Sequence, residues 1–284
     1  MVISRITSGL GNQLFQYACG RAVSLRHGVP LKLDLQNFRE FQARRYGLDA
    51  FNIRAEEATP DEVRKVLQTD TLWHRLTTPR ARRRVLREQG FAFDETVLRA
   101  GPDVYLSGYW QSVKYFADAE AQLRRELTWW MPPLAETLRF LQKMDETAAV
   151  AVHVRRGDYV SNPGYARRFG ALPPAYYERA LGYLAERIST LHAFVFSDEP
   201  AWVKIHFPKT VPLTIVEGNP AAEDLRLMAA CRYHVIANST FSWWGAWLAP
   251  FADKTVLAPE RFFNDPTLPD RDLVPREWVR IAND

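Results

Sequence analysis

Apolar positions along this chain follow two different periods, and their alternation sets the first expectations. Val2 to Thr7 is strand-like, Ser8-Gly9-Leu10-Gly11 reads as a turn, and Asn12 to Arg26 carries apolar residues at Leu14, Phe15, Ala18 and Ala22, the spacing of one helix face. Leu31 to Leu35 alternates like a second strand. A strand-turn-helix-strand opening implies a parallel sheet covered by helices. From about Ala55 to Glu95 the chain reads as helical and charge-rich. Tyr105 to Trp110 predicts a strand feeding a helix over Tyr115 to Leu127. Trp129-Trp130-Met131-Pro132-Pro133 breaks the pattern and a helix through Met144 follows, so two domains are expected, residues 1–145 and 146–284.

The second half alternates more clearly. Ala148 to Val154 is a near-continuous apolar run, as a strand buried on both faces requires. A helix with prolines at its start is expected over Pro173 to Ile188. Strands follow at Ala193–Phe196, Leu213–Val216, His234–Ala237 and Lys254–Ala258, with helices over Glu223–Cys231 and Phe241–Leu248. The order is that of a doubly wound α/β domain, in which ligands sit beyond the carboxyl ends of the strands.

Three polar clusters fall at such ends: Arg155-Arg156-Gly157-Asp158, Ser197-Asp198-Glu199 and Asn238-Ser239-Thr240. Adjacent residues leaving a strand point to opposite faces, so one arginine is expected to reach a ligand and the other to brace the loop through Asp158. An arginine fork suits a diphosphate, because it donates parallel hydrogen bonds and keeps its charge; a purely structural Arg–Asp pair is the plainer alternative. Ser239-Thr240 before a helix reads as an N-cap, and equally as an anion site offering free N–H groups. Asp198 and Glu199 fit metal ligands, acid/base groups or a cap for the helix before His206. Asp224 fits either a dipole-favoured helix start or an acceptor for a base edge such as guanine N1–H. Gly9-Leu10-Gly11-Asn12-Gln13 lacks the third glycine of a dinucleotide fingerprint and is read as a tight turn presenting Asn12 and Gln13. Asp270-Arg271-Asp272 lies in a proline-rich tail, a poor place for a metal, and the histidines have no ligand spacing.

Composition narrows the picture little. The chain has 284 residues, 47% apolar and 25% charged, which excludes disorder and allows one large or two modest domains. Cys19 and Cys231 lie in apolar surroundings and are expected as buried thiols of a reducing compartment. No stretch reaches the about 20 apolar residues of a membrane span, and the opening strand is unlike a leader, so a cytoplasmic protein, peripheral at the inner membrane at most, is expected. The net charge of +4 favours anionic partners. Arg75, Arg80, Arg82, Arg83, Arg84 and Arg87 are expected on one helix, as a solvated face or as a contact with an anionic membrane or phosphate-bearing acceptor. No aromatic-and-basic platform or helix-turn-helix pattern supports a nucleic-acid partner.

Taken together, Gly9 to Ala18, Gly108-Tyr109-Trp110-Gln111-Ser112, His153 to Tyr159, Phe196-Ser197-Asp198-Glu199 and Asn238 to Gly245 resemble the motifs of bacterial α-1,2-fucosyltransferases. The resemblance runs in order across nearly the whole chain. It implies a GT-B-like fold, two Rossmann-like domains facing a central cleft, with GDP-fucose bound by the C-terminal half. It also implies a metal-independent, inverting transfer of L-fucose to the 2-hydroxyl of a terminal β-galactoside, on a glycan or a lipid-linked O-antigen or capsule intermediate. Under it Arg155 binds the β-phosphate, His153 and Asp224 face the guanosine, and Ser239, Thr240 and Phe241 line the pyrophosphate, with Arg156, Asp158, Asp198 and Asn238 in support. Asn12 and Gln13 face the donor from the N-terminal side. Glu199 departs from the family's usual second aspartate and keeps the charge. No general base is implied. The alternatives are a transferase for another nucleotide sugar on the same scaffold and a non-catalytic nucleotide- or glycan-binding protein.

Overall fold

A computed structural model describes residues 1–40 and 44–284. The chain divides into two α/β units: residues 1–130 with 271–273, and residues 131–270 with 274–284. The first holds five strands: β1 (Val2–Arg5), β2 (Leu31–Asp34), β3 (Glu56–Glu57), β4 (Val85–Arg87) and β5 (Val104–Ser107). All pair in parallel, in the order β3-β2-β1-β5-β4. Side chains alternate across β1. Ile3 packs with Val63 and Val66 of the helix Pro60–Leu67, on the face shared with Tyr105. Ser4, on the other face, meets the helix Leu10–His27, and there Gly20 comes so near that a Cβ would lie 2.9 Å from Ser4 Cβ. The helix ends where Gly28 turns left-handed at φ +61°, a conformation costly for any residue with a Cβ.

The second unit holds β6 (Ala148–Val154), β7 (Leu191–Ser197), β8 (Leu213–Val216), β9 (Tyr233–Val235), β10 (Thr255–Pro259) and β11 (Val279–Ile281). The order is β11-β10-β9-β6-β7-β8, again all parallel, which is the Rossmann order. Both faces are dry. Val150, Val152, Val154, Ala193 and Val195 pack on Tyr176, Tyr177, Ala180, Leu181 and Leu184. Ala149, Ala151, Phe194 and Phe196 pack on Met144, Leu227 and Met228. Each buried Val, Leu, Phe or Met among them contributes roughly 1.5–3 kcal/mol of transfer free energy, and each alanine less. This two-sided cover explains why the strands read as continuous apolar runs.

Three expectations change. The helix Ala135–Asp145 belongs to the second unit, because Phe140, Leu141 and Met144 pack into that unit's core; the division falls after Trp130 and not at 145/146. Residues 55–95 are not uniformly helical. They contain β3 and β4, two short helices (Pro60–Leu67 and Leu72–Thr77) and a 3-10 turn Arg80–Arg82. The arginines therefore form no open helical stripe. Arg75 and Arg87 share Asp70, Arg80 pairs with Asp94 at 2.7 Å, and Arg84 pairs with Asp103. Tyr115 to Leu127 is likewise two 3-10 turns and a shorter helix, Glu120–Glu126. Among the described residues no helix is long and apolar enough to cross a membrane.

Candidate active site

In the second unit β6 is the first strand and β9 its neighbour across the reversal of strand order. A sheet wound in this way opens a crevice beyond the carboxyl ends of those two strands. Strand parity puts His153 on the same face as Ala151, where its ring lies 5.7 Å from that of Phe241. The ring is buried, and its Nδ1 has no partner among the described residues. Burial and the neighbouring Arg155 charge push its pKa down to about 3, so the imidazole stays neutral at working pH.

Past β6 the two arginines part company. Arg155 pairs with Asp158 and, through Nη1 at 2.7 Å, with Asp198; its guanidinium lies 5.3 Å from the Tyr159 ring centroid. Arg156 donates from Nε to Glu199 at 2.9 Å and stacks 4.0 Å over Trp202, while its backbone N–H bonds to Asp198. The two arginines thus separate, as strand parity dictates. The bracing is reversed: Asp158 holds Arg155, because the helix turn Gly157–Ser161 carries its carboxylate back over the strand end, and Glu199 holds Arg156. Gly157 is required here, since a Cβ would sit 2.6 Å from Asp198 Oδ2. Asp198 and Glu199 are consequently anchors for the two arginines, and neither caps the helix Pro200–His206. Among the described residues the ion pairs to Asp158 and Asp198 run through the two terminal nitrogens of Arg155, and a guanidinium has five N–H donors in all.

Beyond β9, Asn238 donates to the carbonyls of Phe169 and Gly170 at 2.8 and 3.0 Å, while its buried Oδ1 has no partner among the described residues. Tyr159 donates its hydroxyl to the Asn238 carbonyl at 3.2 Å, tying this turn to the arginine turn. Ser239 caps the helix Thr240–Leu248, its Oγ accepting from Phe241 N at 3.3 Å. A helix start of this kind leaves N–H groups without intrahelical partners, the type of donor that suits negative charge. Asp224 lies in the first turn of the helix Ala221–Ala229 and accepts from the Asn219 amide at 3.2 Å. Burial, with a smaller push from Glu223, raises its pKa to about 7.

The first unit has the analogous reversal between β1 and β5. Three residues past the end of each strand the backbone enters the left-handed region, at Ser8 with φ +68° and at Trp110 with φ +56°. Such strain outside glycine gathers at functional sites. Glu88, just past β4, accepts the N–H groups of Tyr109 and Trp110 at 2.6 and 2.8 Å and holds that turn. Ser8 Oγ lies 3.2 Å from the Tyr109 hydroxyl, and Gln111 donates to Asn12 Oδ1 at 2.8 Å. Asn12 therefore sits in this cluster. Gln13 does not: it is fully buried, donating to Ser8 O and Arg45 O at 2.8 Å and accepting from Gly47 N at 2.9 Å. Its amide clamps the loop from the interior. Sequence reasoning missed Glu88 and assigned no role to Tyr109 or Gln111, although the Gly108-to-Ser112 segment had been singled out. Asp272 is bound by Lys114 and by Phe93 N at 3.2 Å, and Asp270 by Phe262 N at 2.8 Å, so this pair serves as structural acceptors.

Residues 85–282 match the family model for Glycosyl transferase family 11. The chain belongs to glycosyl transferase family 11. Its relatives include an Escherichia coli alpha-1,2-colitosyltransferase, 33% identical over 99% of both chains. Another is the E. coli O-antigen biosynthesis glycosyltransferase WbnK, 28% identical over 92% of this chain and 94% of that one. A mouse galactoside 2-alpha-L-fucosyltransferase, Sec1, is 29% identical over 65% of this chain and 53% of its own. Among solved structures, POFUT1 in complex with GDP-fucose aligns over 90% of this chain and 97% of that one, at 13% identity and a TM-score of 0.51. That likeness bears on the fold, which agrees: this member of family 11 is a GT-B-like glycosyltransferase built of two Rossmann-like units.

Proposed function

We propose that this family 11 enzyme transfers L-fucose from GDP-β-L-fucose to the 2-hydroxyl of a terminal β-galactoside, with inversion and without a metal ion. The observation that carries the reading is the crevice of the second unit. There Arg155, a capped helix start at Ser239 and two buried polar atoms without partners, His153 Nδ1 and Asn238 Oδ1, gather at one switch point. The α-1,2 linkage is supported by the names of the colitosyl- and fucosyltransferase relatives. In the reaction the acceptor O2 attacks the anomeric carbon from the face opposite the diphosphate. The C1–O bond breaks with its electron pair going to GDP, and the acceptor proton leaves to solvent or a base. Negative charge grows on the diphosphate, where Arg155 and the N–H groups after Ser239 are preorganised to receive it. Asp224 is assigned to the guanine N1–H and amino group, and His153, uncharged, to the nucleoside.

A second donor is favoured by one observation: the relative matched over 99% of both chains is named a colitosyltransferase. Colitose is fucose without its 3-hydroxyl, so the same phosphate and guanine contacts serve both sugars. The test is GDP release with lactose as acceptor, from GDP-fucose and from GDP-colitose, with linkage analysis of the product. Fucosyl transfer should exceed colitosyl transfer, and Arg155→Ala should lower it by roughly a hundredfold or more. Thermal stabilisation by UDP but not GDP would sink the reading, as would full activity in Arg155→Ala.

A further inference from the structure

The helix Leu72–Thr77 exposes Leu72, Trp73 and Leu76 at 72%, 75% and 74%, although they are the apolar residues of its single turn and a half. Their spacing puts all three on one contiguous face. An apolar face left in water on an otherwise charged surface marks a binding surface. The charge beside it is one-sided. Residues 70–87 hold six arginines and one aspartate, a formal +5 in a chain of +4; with the paired Asp94 and Asp103 counted in, +3 remains. The arginines are fastened to the apolar helix. Arg83 donates to the carbonyls of Thr78 and Arg75 at its carboxyl end, and Arg75 shares Asp70 with Arg87. Arg82 is exposed and has no ion pair among the described residues.

We propose that this face docks the enzyme on an anionic phospholipid bilayer, with Trp73, Leu72 and Leu76 entering the interface and the exposed Arg82, with the net positive charge around it, facing the headgroups. Three side chains on a six-residue helix are far short of the roughly 800 Å² per partner that a stable protein interface buries. A second copy of the chain would set one basic surface against another. A bilayer needs no shaped partner: tryptophan settles at headgroup level, and each basic residue near an anionic leaflet adds attraction. The sequence alone pointed to the arginines; the structure ties many of them up internally and supplies the apolar face in their place.

The experiment is cosedimentation of the purified protein with vesicles of phosphatidylglycerol and phosphatidylcholine against phosphatidylcholine alone, at low and high salt. Binding to the anionic vesicles alone is expected, weakening with salt. Trp73→Ser/Leu76→Ser should weaken it by roughly tenfold or more, which is what losing the burial of two apolar side chains implies. Both positions are exposed, so an unchanged melting temperature and circular dichroism spectrum will show that the variant is folded. Equal binding by wild type and variant overturns the proposal, as does equal binding to neutral vesicles. Sedimentation equilibrium is run in parallel; self-association that the double substitution abolishes, without vesicle binding, assigns the face to a second copy and overturns it too.

Discussion

The guanine contact proposed for Asp224 would couple ligand recognition to pH. Burial lifts its pKa from the ordinary carboxylate range to about 7, so the folded chain prefers the protonated form. Its contribution to stability is full at low pH and is lost as pH rises through about 7. Guanine N1–H and the exocyclic amino group both donate, however, and need the ionised carboxylate. Affinity for GDP-fucose, whose diphosphate diester does not titrate in this range, should therefore rise between about pH 6 and 8. Asp224→Asn should flatten that rise and hold stability more nearly constant across it. Isothermal titration across the pH series is the check, and an unchanged slope in the variant would remove Asp224 from the guanine contact. How much was legible differs from residue to residue. Arg155, Asp198 and the Ser239 turn could be found because strand ends in a doubly wound sheet are marked by where apolar runs stop. The partner of Asp158 could not, since it depends on the turn Gly157–Ser161 folding back over the strand. Nor could the fate of Gln13: a polar side chain after a turn looks alike whether it faces ligand or, as here, satisfies three backbone groups in the interior.

At the scale of elements, the strands buried on both faces were the easiest to see, and the short edge strands were the hardest. β6 and β7 each run seven residues through two cores, whereas β4 is three residues that follow a run of arginines and β3 is two glutamates. Such strands exist because a neighbour supplies hydrogen-bond partners, and no local period records that. Helix starts, by contrast, are written in single residues. Ser239 is buried, caps its helix and is proposed to line the diphosphate site. Two substitutions separate these roles. Ser239→Ala should cost about 1 kcal/mol as the cap is lost, and Ser239→Gly only a few tenths. Both remove the hydroxyl, so both should weaken GDP binding if the hydroxyl touches the diphosphate. Thermal melts and GDP titration of the pair decide it; normal binding by the glycine variant would reduce Ser239 to a cap.

At the scale of the molecule, each unit repeats one device: a parallel sheet whose order reverses beside its first strand, with polar groups, a few of them strained or unpartnered, gathered at the reversal. In the first unit these are Ser8, Tyr109, Trp110, Gln111 and Asn12; in the second, His153, Arg155, Asn238 and Ser239. The charges differ in kind. The second unit supplies the arginine fork and helix start suited to a diphosphate, whereas the first offers hydroxyl and amide groups, which suit the neutral hydroxyls of a glycan. Hydrogen exchange should separate the two. GDP alone is expected to slow exchange in residues 153–160, 221–226 and 238–243, because ligand contact raises the local opening free energy where the ligand sits. A soluble β-galactoside should instead slow residues 8–13 and 108–112, and should leave the second unit's rates unchanged. Protection by GDP confined to the first unit would reverse the assignment. No protection of the first unit by any galactoside would leave its strained turns serving only the fold, and the division of labour between the two sheets would have to be abandoned.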